Sequence, residues 1–246
     1  MVKENRLKIH SGNSRIEKTT QSSDIPLSER AFPRAPLFDP MQKLVIPRKT
    51  VYRLSLYYRA LQRLKLNRID TVSSAALAKA AGVKPTQLRK DLTYFGQFGT
   101  RGLGYSVDAL SARLTDVLGT THLQPVILVG AGHLGSALLR YQGFAKEGFE
   151  VVAAFDLKAS ANRAKELGVK VLPMSKIGEF VSENRIKMAI LTVPGIVAQE
   201  VANELVQAGI MAILNFAPII LQVPDRVVVN NVDLAIELEN LSYFIQ

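Results

Sequence analysis

The sequence predicts an α/β protein in which a small helical domain precedes a doubly wound parallel sheet. Three observations support this fold class. Residues 50–115 are strongly basic and have the pattern of short amphipathic helices separated by turns. The apolar strand "VILV" (126–129) then runs into a glycine loop and a helix. From there on, apolar strands alternate with helical segments, which is typical of a parallel sheet with helical crossovers.

Length and composition narrow the class of protein. The chain has 246 residues, enough for about two domains. It contains no cysteine, which excludes disulfides, thiolate metal sites and cysteine nucleophiles. No apolar run is long enough to act as a signal peptide or to span a membrane. We therefore expect a soluble, cytoplasmic protein with no membrane segment and no metal site.

The net charge of +10 is unevenly distributed. Residues 1–49 have a net charge of +5, residues 50–115 hold 11 Lys/Arg against 3 Asp/Glu, and residues 116–246 have a net charge of −3. This distribution indicates that only the front half binds a polyanion, although a solvated basic face is the alternative. Residues 1–45 are polar and interrupted by prolines, and they predict a disordered basic arm that is a flexible tail rather than a DNA contact.

A helix-turn-helix unit is predicted after a longer first helix. Pro47 suits the start of that first helix, and one face of it is apolar: Val51, Leu54, Tyr58, Leu61 and Leu64. Two short helices follow, the first capped by Ser73 or Ser74 and ended by Gly82, the second capped by Thr86. Leu88, Leu92 and Phe95 form the buried side of the second helix, and its outer side chains are Gln87, Arg89, Lys90 and Thr93.

The stretch "GQFGTRGLGYSV" predicts a Gly-rich hairpin with Arg101 near its tip. Together with the helix pair and the basic outer face, such a wing predicts a winged helix that binds DNA. The alternative is a small helical domain with incidental surface charge. A helix ending at Gly119 then links the two halves of the chain.

The second domain begins with a strand, a G-x-G-x-x-G loop and a long helix, the order that a dinucleotide-binding loop requires. Gly130 permits the tight turn, Gly132 lets the backbone approach a pyrophosphate, and Gly135 lets helix and strand pack closely. The N-terminus of the helix offers unpaired N–H groups to the phosphates.

A second strand ends at Asp156, which lies 21 residues after Gly135, near the ~20-residue spacing of the acid that binds the ribose 2′-hydroxyl. A carboxylate there favours NAD(H) over NADP(H), and the nearby Lys158 weakens that preference. The alternative is a Rossmann fold used only as a scaffold. Ligands of such sheets bind beyond the carboxyl ends of the strands, and that edge gathers the candidate cofactor residues Gly130, Ala131, Gly132, His133, Leu134, Gly135, Asp156, Thr192, Pro194, Asn215 and Phe216.

The same edge lacks the residues of a dehydrogenase. The three histidines are His10 in the arm, His122 in a linker and His133 in the glycine loop, and none is placed as an acid or base beside a nicotinamide. There is no Tyr-x-x-x-Lys pair and little room for a substrate domain. A sensor is therefore favoured over an enzyme. The alternatives are a small NAD-dependent oxidoreductase whose basic domain serves assembly, and a regulator that binds CoA or another nucleotide.

From Ile46 to its end the chain resembles the Rex family of redox-sensing transcriptional repressors. The stretches that carry the resemblance are "IPRKTVYRLSLYYRAL", "LRKDLTYFGQFGTRGLGY", "VGAGHLGSALLRYQGF", "AAFD", "ILTVP", "AGIMAILNFAP" and "NVDLAIELENLSYF". The resemblance implies a homodimer that binds an inverted-repeat operator in double-stranded DNA and releases it when NADH binds. NADH and NAD+ would be sensed and not consumed.

The resemblance also implies a domain plan: a winged helix over 46–118, a Rossmann domain over 119–230, and over 231–246 a helix exchanged between subunits. It assigns DNA contacts to Arg89, Lys90 and Arg101. It assigns a response to the nicotinamide to Tyr141, and an inter-subunit pair that couples redox state to domain orientation to Arg59 and Asp233. Two features depart from the family pattern: His133 stands where Asn or Arg is usual, and "FDLKAS" lacks a second acid.

Overall fold

The computed structural model describes residues 46–96, 99 and 103–245, so the predicted arm and Arg101 lie outside the described residues. The helices are α1 Arg48–Leu66, α2 Ser74–Ala80, α3 Pro85–Thr93, α4 Val107–Leu118, α5 His133–Leu139, α6 Gly143–Lys146, α7 Ala161–Leu167, α8 Ile177–Glu183, α9 Gly195–Ala208 and α10 Leu234–Tyr243. The strands are β1 Thr71–Val72, β2 Tyr105–Ser106, β3 Gln124–Val129, β4 Phe149–Phe155, β5 Lys170–Leu172, β6 Met188–Leu191, β7 Ala212–Asn215 and β8 Val228–Asn231.

Helices α1 to α4 share one apolar core, and α1 lies at its centre. The buried face of α1 differs from the predicted one: Val51 is 41% exposed, whereas Tyr57 is fully buried. Leu54 and Leu61 are buried as predicted. The face is rotated because a polar network beneath α3 draws Thr50 and Tyr57 inward. The spacing of apolar residues predicted the helix correctly, but it did not determine which side of α1 is buried.

The predicted helix pair is present with one cap corrected. The Ser73 hydroxyl accepts a hydrogen bond from the N–H of Ala76, as predicted for a cap of α2. The prediction of Thr86 as the cap of α3 is wrong, because α3 begins at Pro85 and its cap position is Lys84, two residues earlier than predicted. Proline at the first helical position has φ already set for a helix and lacks an N–H that would need a partner.

The Gly-rich segment after α3 does not pair with itself within the described residues. Its strand β2 runs antiparallel to β1, which precedes α2, with Thr71 opposite Ser106 and Val72 opposite Tyr105. Gly104 approaches β1 so closely that a Cβ on it would lie 2.4 Å from the Val72 carbonyl oxygen. Strand β2, at the end of the Gly-rich segment, is therefore attached to the helix-turn-helix unit through β1.

The back half forms one six-stranded parallel sheet with the order β5-β4-β3-β6-β7-β8. This is the strand order of a dinucleotide-binding Rossmann domain, in which the order reverses between the first and fourth strands of the sheet. Here the reversal falls between β3 and β6. The predicted α/β fold class and parallel sheet are confirmed.

The helix predicted after the glycine loop is two helices. Strand β3 enters the loop directly, and α5 ends with Arg140 as its C-cap. The short helix α6 follows after Gln142. The Tyr141 ring packs edge-on against the Phe144 ring, with centroids 5.1 Å apart, so the chain turns at this aromatic pair. No helix in the described ranges is long and apolar enough to cross a membrane.

Candidate nucleotide site and nucleic-acid interface

Two glycines of the loop are required by the protein itself. Gly130 has φ +95°, and a Cβ on it would lie 2.8 Å from the carbonyl oxygen of Thr192. Gly135 is buried in α5, and a Cβ on it would overlap the carbonyl oxygen of Gly130. Left-handed backbone at the first position and close packing at the second leave room for no side chain. Both glycines therefore act as predicted from the sequence.

Gly132 is different, because no neighbour among the described residues crowds it. Its φ is −65°, which any residue adopts, and a Cβ on it would meet no atom within 4 Å. Packing therefore leaves open space over the backbone at Gly132. Space for a pyrophosphate at this position of the loop is what the dinucleotide-binding pattern provides.

Thr192, at the end of β6, holds the loop in place. Its hydroxyl donates to the Gly130 carbonyl oxygen at 2.7 Å and lies 3.1 Å from that of Val129. The backbone N–H of Thr192 donates to the carbonyl of Val129 as well. The residue thereby ties the end of β6 to the loop after β3, across the point where the strand order reverses.

Asp156 follows β4 and turns its carboxylate toward the loop. Its Oδ2 accepts from the backbone N–H of Ala131 at 2.8 Å, and its Oδ1 accepts from the N–H of Lys158 at 2.8 Å. The predicted ribose acid and the predicted phosphate loop are thus directly bonded to each other. The structure adds Arg163, which the sequence reasoning missed: its Nη1 lies 3.7 Å from Asp156 Oδ1, and its Nη2 donates to the Ala131 carbonyl.

The other candidate cofactor residues fall into two groups. His133 and Leu134 are exposed beside the loop, Pro194 is exposed at the start of α9, and Phe216 is half-buried after β7. Asn215 is fully buried instead. Its amide donates to the carbonyls of Ala217 and Ile219 and to Asn231 Oδ1, so the side chain shapes the loop after β7. Contact between Asn215 and a cofactor stays a prediction.

An apolar groove of about 350 Å³ lies on the sheet face that α5 and α6 leave partly open. Met188, Ile190, Leu214 and other strand side chains form its floor, and the aromatic pair Tyr141–Phe144 forms one wall. The structure therefore places Tyr141 in this groove, at the end of the helix that starts at the glycine loop. Arg59 of α1 also lines the groove, and its Nε lies 3.9 Å from Glu147 Oε2.

Helix α10 carries unburied apolar side chains. All its residues are exposed, and the large apolar ones are Leu234, Ile236, Leu238, Leu241 and Tyr243. Asp233 is the N-cap of α10 and accepts from the N–H groups of Ala235 and Ile236. Within this one chain, the structure does not bring Asp233 to Arg59, which contacts Glu147.

Helix α3 presents the predicted DNA-binding side chains. Arg89, Lys90 and Thr93 are exposed. Arg89 Nη1 donates to Ser74 Oγ at 3.1 Å, which orients the guanidinium along the surface between α2 and α3. The Thr93 hydroxyl donates to the Lys90 carbonyl of its own helix. Gln87 is partly buried, and its amide donates to Asp91 Oδ1 at 2.9 Å.

Asp91 is a buried charge that the sequence reasoning overlooked. Its carboxylate is 1% exposed and accepts from Arg53 at 2.6 and 2.7 Å, from the Tyr57 hydroxyl at 2.7 Å and from Gln87. Burial acts to raise the pKa of Asp91, but the hydrogen bonds from Arg53, Tyr57 and Gln87 outweigh it and lower the pKa. Burial and the bond to Asp91 raise the pKa of Tyr57. The network fixes α3 to α1.

A basic helix pair joined to a Rossmann sheet with an open glycine loop defines a class of protein, the nucleotide-responsive DNA-binding regulators. Two family models match: "Putative DNA-binding protein N-terminus" over residues 45–93 and "CoA binding domain" over residues 121–219. No group of His, Asp or Glu side chains within the described residues could hold a metal ion.

Relatives identify the family within this class. The redox-sensing transcriptional repressor Rex of Pelotomaculum thermopropionicum is 44% identical, covering 82% of this chain and 95% of its own, and that of Carboxydothermus hydrogenoformans is 46% identical, covering 84% and 99%. The crystal structure of RSP with β-NAD+ and operator DNA has a TM-score of 0.76 at 38% identity, covering 82% of this chain and 94% of its own. RSP with β-NADH has a TM-score of 0.71 at 36% identity, covering 82% and 95%. The chain belongs to the Rex family of redox-sensing transcriptional repressors.

Proposed function

We propose that this protein is a homodimeric repressor that binds operator DNA, senses NADH and NAD+ without consuming them, and releases the DNA when NADH binds. The observation that carries the proposal is the open space over Gly132. The same loop is bonded to Asp156, the carboxylate at the proposed ribose position. The names of the relatives favour a repressor over an oxidoreductase. Because such a protein acts on the chromosome, we propose that it works in the cytoplasm.

The proposed cofactor site is the carboxyl edge of the sheet. Residues 130–135 would hold the pyrophosphate, Asp156 the adenosine ribose, and Thr192, Pro194 and Phe216 the side toward the nicotinamide. Thr192 supports this role because its hydroxyl already orients the loop. Tyr141 would respond to the nicotinamide from the far end of α5, since a shift of this helix moves the wall of the groove.

The proposed DNA contact is the outer face of α3, with Arg89 and Lys90 reading bases or phosphates and Gln87 and Thr93 beside them. Their support is exposure and charge for the first two. Gln87 is bonded to Asp91, so its contact with DNA would require its amide to turn outward or to share that bond. Arg101 lies outside the described residues and keeps its proposed place in the wing.

The proposed homodimer joins two unburied apolar surfaces that lie within the described residues. An exposed helix with five large apolar side chains and a groove floored by apolar strands are complementary in chemistry. We propose that α10 of one subunit lies in the groove of the other, where Asp233 would meet Arg59. The domain plan that goes with this dimer is a winged helix over 46–118, a Rossmann domain over 119–230 and an exchange segment over 231–246.

The test is a DNA-binding titration on genomic fragments with no ligand, NAD+, NADH or CoA. We expect tight binding of a small set of fragments, retention with NAD+ and release with NADH. CoA is the necessary comparison, because the family model over residues 121–219 is described by that ligand. Release by CoA but not by NADH would contradict the proposal, and steady hydride transfer to a metabolite would favour the oxidoreductase.

A further inference from the structure

The ribose acid of this site is already occupied by protein donors. Oδ2 of Asp156 accepts from Ala131 N–H, Oδ1 accepts from Lys158 N–H, and the guanidinium of Arg163 stands 3.7 Å from Oδ1. Asp156 is 16% exposed and Arg163 is 27% exposed, so the charges face each other where water screens them little. The negative charge that would repel a phosphate therefore has a positive charge of the protein beside it.

Arg163 reaches this position from α7, a helix that the sequence analysis did not predict. Strand β4 is followed by α7, and Arg163 lies in its first turn, where its backbone N–H donates to the Ser160 hydroxyl at 3.3 Å. The side chain returns over the loop and donates to the carbonyl of Ala131. A second cation, Lys158, is exposed two residues after the acid. One guanidinium thus faces the carboxylate, and an exposed lysine follows that carboxylate by two residues in the chain.

We propose that this end of the site accepts a 2′-phosphate, so that NADPH and NADP+ are ligands together with NADH and NAD+. Arg163 and Lys158 are the residues that set this specificity. A phosphomonoester carries about two negative charges at neutral pH. A guanidinium forms strong paired hydrogen bonds with phosphate oxygens, and an ammonium adds a compact positive charge. The inference rests on the proposed nucleotide site and extends the class of dinucleotide that it binds.

The experiment measures the dissociation constants of NADH and NADPH for the full-length protein from the fluorescence of each reduced cofactor. We expect the two constants in the unmodified protein to agree within about tenfold. Arg163→Ala should raise the NADPH-to-NADH ratio of the constants by about tenfold or more, because it removes the cation that would pair with the phosphate and also leaves the Asp156 carboxylate without its counter-charge. Lys158→Asp, at an exposed position that carries no packing, should raise the ratio in the same direction.

Lys165→Ala is the matched control, since Lys165 is an exposed cation on the same helix α7. It should leave the ratio within about twofold. A ratio above about tenfold in the unmodified protein would overturn the inference, as would Arg163→Ala and Lys158→Asp that both leave the ratio unchanged. If NADH binds and NADPH does not, only this inference fails. If neither binds, the proposed nucleotide site fails as well.

Discussion

The Asp91 carboxylate of α3 and the Arg53 guanidinium of α1 form a two-point contact, with Nε 2.6 Å from Oδ2 and Nη2 2.7 Å from Oδ1. The Tyr57 hydroxyl donates to the same carboxylate at 2.7 Å. A helix that reads DNA must hold its angle to the rest of its domain. This buried contact fixes α3, the helix that we propose for DNA binding, to α1.

Asp91→Asn should destabilise the winged-helix unit by about 3 kcal/mol, because the Arg53 guanidinium and the buried Tyr57 hydroxyl lose their carboxylate partner. Urea unfolding measures this loss. The comparison variant is Asp116→Asn, which removes an exposed carboxylate paired with Arg113 and should cost less than about 1 kcal/mol. Equal losses in the two variants would show that the buried network has no special contribution.

The same network predicts a pH dependence. The folded pKa of Asp91 is lowered, so its stabilisation is complete above the unfolded value of about 3.9. It is lost as the pH falls through the folded pKa. The difference in unfolding free energy between the unmodified protein and Asp91→Asn should therefore be constant from pH 7 to pH 5 and shrink below about pH 4. A difference that does not change with pH would contradict this assignment.

Arg89→Ala and Lys90→Ala should weaken operator binding and leave NADH binding intact. A lost base contact costs about 1–3 kcal/mol, whereas a lost phosphate contact reduces the salt dependence of log K by about one unit. Titrations at several salt concentrations separate the two cases. Lys187→Ala removes an exposed cation just before β6 and controls for the loss of net charge. The role of α3 would be refuted by unchanged operator affinity in both variants.

Gly132→Val should abolish NADH binding and leave the fold intact, because a Cβ there meets no atom within 4 Å and the side chain would occupy the space that a pyrophosphate would use. The protein should then stay on its operator whatever the NADH concentration. Gly135→Val is the contrasting variant, since a Cβ there overlaps the Gly130 carbonyl and should destabilise the domain itself. Calorimetry and thermal unfolding distinguish the two effects. Normal NADH affinity in Gly132→Val would remove the loop from the site.

Asp233→Asn tests the proposed coupling pair without damaging the helix that carries it. Asparagine caps a helix about as well as aspartate, so α10 should persist while the charge opposite Arg59 is lost. We expect the effect of saturating NADH on operator affinity to fall by about 1 kcal/mol or more. The measurement is operator affinity with and without NADH in both proteins. The coupling role is rejected when the two ratios agree.

The sheet and the glycine loop could be predicted because their signals are local. Strand β3 is a continuous apolar run, the three glycines have fixed spacing, and Asp156 follows at the expected interval. Each of these depends on neighbours in sequence. The structure accordingly confirms the parallel sheet, and Asp156 accepts a hydrogen bond from the Ala131 N–H of the glycine loop.

The misses are residues whose environment comes from distant parts of the chain. Asp91 looks like an ordinary helix-surface acid until Arg53 and Tyr57, 38 and 34 residues away, surround it. Arg163 returns over a loop 32 residues earlier. Neither hydrophobic periodicity nor motif spacing predicts contacts between residues this far apart in the chain. The sequence signal for Asp91 is an acid beside Leu92 in a basic helix. The signal for Arg163 is a cation a few residues after Asp156.

The hydrogen bonds of Thr192 have a consequence for how fast and how tightly a ligand binds. They hold the turn at Gly130 rigid through contacts wholly within the protein, on both sides of the reversal in strand order. A loop that is already ordered loses less conformational entropy when a ligand binds than a flexible loop does, so less of the binding free energy is lost. A ligand at this edge would therefore meet a glycine loop that is already shaped, and any conformational change on binding would occur elsewhere in the molecule.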